Sequence, residues 1–173
     1  MKIGVGRIIS DHLRSLYDAK TGNVSILDLT IFYLFPLVLA VFIYLDKFHF
    51  ENSVYSQSIA VFAIFSALLF SVQIALFGIY SKSYSAKDEF SELYARERVD
   101  KRRKIVRQTN SNISYLIVVS SISVTLFLAA SVIRVSDRFE PALAVFLYAH
   151  FMLTLLMVIK RVHALFDKEY QEV

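Results

Sequence analysis

One ionisable side chain stands in the middle of an oily stretch. His150 lies in PALAVFLYAHFMLTLLMVI (141–159), with Thr154 one helical turn further on. An ionisable group is expensive to keep in a bilayer, so it marks a functional site unless hydrogen bonds hold it neutral. Two chemistries are open to His150. One is gating or proton sensing near neutral pH; the other is a quiet hydrogen bond in a core. Its expected partner is Gln73, in the run 54–80, or a serine of the run 113–133. In that last run Ser114, Ser121, Thr125 and Ala129 share a stripe, with Ser120, Ser123 and Ser131 nearby. Hydroxyls in a span bond the carbonyl four residues back or join helices. A row of them can also line an aqueous path.

The missing chemistry is equally informative. The chain has no cysteine, which excludes thiolate zinc sites and thiol catalysis. His12, His49 and His163 fall outside the apolar runs, so no metal is expected around His150. Glycines at 4, 6, 22 and 78 cannot form a phosphate-binding loop. No nucleophile–base pair and no paired carboxylates occupy a plausible cleft. The sequence therefore predicts no enzyme, no catalytic residue and no cofactor.

Two patterns concern contact rather than chemistry. Ser56, Ala60, Ala63, Ala67, Ser71, Ala75 and Gly78 recur at spacings of three and four along the second run. Small faces let helix backbones approach closely in lipid. This one predicts packing within one chain, a subunit interface or a pore-facing wall. Arg96, Arg98, Lys101, Arg102, Arg103, Lys104 and Arg107 form a basic cluster. It suits anchoring to anionic lipid or docking an acidic cytoplasmic partner. Asp88, Glu89, Glu92, Glu97 and Asp100 dilute its field, which argues against direct nucleic-acid binding.

These residues must be positioned by membrane helices. Hydrophobic residues make up 56% of the 173, and they cluster in runs 26–45, 54–80, 113–133 and 141–159. Each meets the roughly 20 apolar residues that a spanning helix needs. The expected fold class is all-α, a polytopic membrane protein of four transmembrane helices arranged as two hairpins, in one domain. Lys and Arg divide 16 to 3 between the two alternating sides. That asymmetry places both termini and the 81–112 loop in the cytoplasm, as expected for a multi-pass protein of the cell inner membrane. Residues 6–18 form an amphipathic helix, lying on the membrane surface or packed beneath the bundle as a collar. Thr21-Gly22-Asn23 is a turn, Ser25 and Asp28 form a capping box, and Pro36 kinks the first span. Asn110-Ser111-Asn112 offers a start for the third helix. Tyr44, Tyr55, Tyr80 and Tyr115 sit at run ends, where rings favour the headgroup zone.

The opening IISDHLRSLYDAKTGNVSILDLTIFYLFPLVLA, followed by three more spans and a basic inner loop, resembles small four-span bacterial inner-membrane proteins of antiphage defence, the family type of the Kiwa membrane subunit. The resemblance implies oligomerisation, response to infection at the inner membrane and work with a soluble partner. Two functions are expected. One is a homo-oligomeric scaffold or sensor–effector that recruits a cytoplasmic partner. The alternative is an ion channel or depolarising pore of the holin kind.

Overall fold

A computed structural model describes residues 4–16, 25–46, 52–81, 89–133 and 138–170. They form five helices: α1 (Val5–Arg14), α2 (Ile26–Leu45), α3 (Asn52–Ser81), α4 (Glu89–Val132) and α5 (Phe139–Tyr170). Among the described residues there is no strand. Helices α2 to α5 are each long and apolar enough to cross a membrane, so the chain has an all-α polytopic membrane architecture.

The ends of these helices follow from local chemistry. Ser25 caps α2 by accepting from the Asp28 N–H at 3.2 Å, as the capping pattern predicts. Pro141 lies in the first turn of α5, where its missing N–H costs nothing. The expected break at Asn110-Ser111-Asn112 is absent. Helix α4 runs through it without interruption. The preceding segment is rich in Glu, Arg, Lys and Ala, and its helix propensity carries the span straight into the charged region. The 81–112 segment is therefore mostly an extension of the third span. The turn expected at Thr21-Gly22-Asn23 lies outside the described residues.

Heptads set the core. Along the seam of α4 the buried positions Val106, Thr109, Ile113, Leu116, Ser120, Ser123 and Phe127 alternate by three and four, with Asn112 and Tyr115 buried beside them. On α3 the buried apolar residues Tyr55, Phe62, Leu69 and Leu76 recur every seven, with Ser58 also buried. On α5 the seam runs through Ala144, Leu147, Phe151, Thr154 and Val158, with His150, Pro141 and Ala142 also buried. A 3.5-residue repeat is the signature of left-handed, knobs-into-holes packing. Phe62 is the central knob. Its ring meets Phe151 edge-on at 5.1 Å, Tyr148 at 4.9 Å and Phe127 at 5.8 Å. At one end of the bundle the Tyr55 hydroxyl donates to Glu140 at 3.2 Å. The opposite end carries α1 and the basic part of α4, and is called the basic end below.

The packing order is α3, α4, α5, α2. Only 17% of the apolar window is buried in α2 and in α3, against 39% in α4 and α5, so α4 and α5 are the central pair. The hairpin expected between spans three and four is present. The one expected between spans one and two does not close: among the described residues no Cα of α2 beyond its π turn comes within 8 Å of α3. Residues 46–51 can reach about 23 Å when extended, so the connection permits the separation. Helix α2 packs on α5 instead.

Candidate functional site

The site begins at Pro36. Proline has no N–H, so the carbonyl of Phe32, four residues back, loses its usual helical donor. Helix α2 adapts with a π turn over Thr30–Leu34, in which the Phe35 N–H reaches the Thr30 carbonyl. The donor that Phe32 lacks comes from another helix. His150 Nδ1 lies 2.8 Å from the Phe32 carbonyl oxygen. A carbonyl only accepts, so Nδ1 carries the proton and Nε2 of the neutral ring is an acceptor. The Tyr115 hydroxyl therefore donates to Nε2, at 2.8 Å. Tyr33 of α2 in turn hydrogen-bonds the Tyr115 hydroxyl. Neighbouring aromatics close the ring in: Tyr33 tilts against His150 at 4.9 Å, and Phe146 lies parallel to it at 6.0 Å.

Tyr115 is also the link to α1. The His12 imidazole stacks flat on its ring, with centroids 3.8 Å apart and planes within 2°. His12 Nδ1 donates to Asn112 Oδ1 at 2.9 Å, and Ser15 Oγ donates to the same oxygen at 2.7 Å. Arg161 of α5 donates to the Ser15 carbonyl at 2.8 Å. Helix α1 is thus seated on α4 and α5 as a collar. Its inner face is Ile8, His12, Ser15 and Leu16, while Ile9 and Leu13 stay exposed. Burial is the main cause that lowers the His12 pKa to about 4; the Asn112 hydrogen bond opposes it, and His150 and Arg161 reinforce it.

The residues singled out in the sequence do not form one cluster. His150 is at the centre of the site, but Gln73 is not its partner: Gln73 Nε2 donates to Ser114 at 3.1 Å. Thr154 Oγ1 donates to the His150 carbonyl within α5. Ser121 and Thr125 are exposed, and they bond the carbonyls of Ile117 and Ser121. Ser120 and Ser123 do likewise from inside the seam. These hydroxyls direct their protons to their own backbone, the arrangement that makes a hydroxyl inexpensive in lipid.

The small-residue face is placed more sharply. Ser56, Ala60, Ala63, Ala67, Ser71, Ala75 and Gly78 are all exposed, while the heptad positions between them face the core. Ala63, Ser66, Ala67 and Phe70 also form one wall of a groove of about 630 Å³, with Ile117, Ser120, Ser121 and Val124 opposite. In the basic cluster, Arg103, Lys104 and Arg107 are exposed on α4. The backbone of Arg96, Arg98, Lys101 and Arg102 continues the same helix.

Sequence reasoning missed Tyr115, Asn112, His12 and Arg161. Tyr115 and Tyr55 were expected at the headgroup level, yet both are buried and hydrogen-bonded inside the bundle. The available signal was Pro36, which obliges a donor from outside α2. Among the described residues no group of acidic, histidine or cysteine side chains is arranged to hold a metal. No protein-family model matches the chain, and neither the curated proteins nor the solved structures yield a match.

Proposed function

We infer that this chain is a homo-oligomeric scaffold of the bacterial inner membrane, presenting a stiff charged helix to a cytoplasmic partner. The observation that carries the reading is the outward placement of all seven small residues of α3. A face used only for packing inside one chain would be buried against α4, whereas these residues stay exposed, with Ala63 and Ala67 at the edge of the open groove beside α4. A face of Ala, Ser and Gly turned away from the core instead suits close approach by the helix of another copy. The length of α4 supports the second half of the reading. Its 44 residues extend to about 66 Å, twice the roughly 30 Å hydrocarbon core, and the excess carries the basic cluster. The antiphage role implied by the family resemblance would place such a scaffold at the membrane during infection.

The test is substitution of Ala67 and Ser71 by leucine. Both are exposed, so the fold and its helicity are retained. The mass of the purified complex, by light scattering in mild detergent, falls to that of a monomer. A mass unchanged from the parent protein overturns the reading. Pull-down with and without reversal of charge at Arg103, Lys104 and Arg107 tests the partner surface separately.

A further inference from the structure

Helix α1 is held by a seam with built-in opposition. His12, Asn112 and Thr109 are fully buried there. Yet His12 Nε2, Asn112 Nδ2, Thr109 Oγ1 and Arg161 Nη1 are buried polar atoms with no hydrogen-bond partner. Release of α1 would hydrate all four. Docking is favoured by the His12–Tyr115 stack, the two bonds to Asn112, the Arg161 bond and the burial of Leu16. On the outer flank of α1, Val5, Ile9 and Leu13 are exposed and suit the membrane surface in either state. A position on the membrane surface would therefore relieve these four atoms at the loss of the docking contacts.

His12 is the group that distinguishes those positions. Its Nδ1–H is committed to Asn112, leaving Nε2 with a lone pair in a closed space. A second proton there would have no acceptor. From α4 it would face Tyr115, Asn112 and Thr109, none of them charged near neutral pH. From α5 it would meet the positive field of Arg161, which bonds the nearby Ser15 carbonyl, with His150 across Tyr115. On α1 itself Asp11 is paired with Arg7 at 3.8 Å, and Asp28 of α2 acts on Arg161. From α4 and α5 the imidazolium would thus meet neutral groups or a cation, and the two carboxylates nearby, Asp11 and Asp28, act on arginines.

We propose that α1 is a proton-released latch: protonation of His12 frees the helix from its seat on α4 and α5 and uncovers the ring of Tyr115, which hydrogen-bonds the His150 that holds the π turn ahead of Pro36. Burial in the docked seat pushes the imidazole pKa down to about 4, against the usual 6.5 of a released one. Each unit of acidification between those values shifts the docked–released equilibrium roughly tenfold toward release.

The absence of native cysteine makes the test direct. Spin labels are placed at Ser10→Cys and His163→Cys, both exposed, which also removes the second histidine of α5. Distances between them are measured by pulsed electron resonance in phosphatidylcholine nanodiscs. At pH 7.5 one short, narrow distribution is expected. At pH 5 a longer, broader population grows by more than tenfold relative to it. Asn112→Asp places a carboxylate against the imidazolium and keeps α1 docked at pH 5. His12→Gln removes the response. Identical distributions at pH 7.5 and pH 5 in the parent overturn the proposal. So does a parent-sized response in His12→Gln, or release of Asn112→Asp at pH 5 to the parent's extent.

Discussion

Replacing His150 by leucine removes two things at once, the donor to the Phe32 carbonyl and the acceptor for the Tyr115 hydroxyl. Each buried group left unpaired costs about 1–3 kcal/mol, so the variant is expected to lose stability well beyond a simple packing change. Pro36→Ala supplies the N–H that proline lacks and gives Phe32 a donor within its own helix. The His150→Leu loss should then shrink by about 1 kcal/mol in the Pro36→Ala background. Unfolding of the parent, the two single variants and the double variant in detergent measures this coupling. Equal losses in both backgrounds would mean that the two residues act independently. The cycle also separates a structural histidine from a sensing one, since only the former should depend on the proline.

At the scale of elements, the seam of α4 makes a contrast between neighbouring serines. Ser123 is buried in the heptad and Ser121 is exposed two residues away. Ser123→Leu forces a branched side chain into a close-packed line and should cost about 1–3 kcal/mol in thermal unfolding. Ser121→Leu should leave the unfolding of the isolated chain unchanged. The spans themselves were legible, because a run of about 20 apolar residues has few other places to go. The Ser25 cap and the Pro36 perturbation were legible for the same local reason. Helix partners were not. A six-residue connection looks like a hairpin, yet it is long enough to let α2 leave α3 and pack on α5. The Asn110–Asn112 stretch read as a helix start because asparagine favours caps. Instead, Asn112 uses its side chain on His12, 100 residues away in sequence. Tyr115 was misplaced since a tyrosine at the end of an apolar run has one sequence signature whether it faces headgroups or a core. Tertiary pairs of this kind leave no periodicity to read.

For the whole molecule, the charge asymmetry and the helix lengths make a joint prediction. Helices α4 and α5 both overrun the bilayer at the basic end, while the other end is closed by the short contact between Tyr55 and Glu140. Single cysteines introduced at exposed Lys104 and Arg138 should therefore react from opposite sides. In sealed right-side-out vesicles a membrane-impermeant maleimide should label Arg138→Cys at once and Lys104→Cys only after permeabilisation. Labelling of both without permeabilisation would overturn the expected topology. The hydrogen-bonded line through the bundle also has a direction. Each member hands its hydrogen to the next, from Tyr115 to His150, and the last recipient is the peptide oxygen of Phe32. An amide oxygen has no hydrogen of its own to pass along. The line is thus a cul-de-sac, an insulator terminated at a peptide oxygen, and traffic of protons across this protein would first require it to be dismantled.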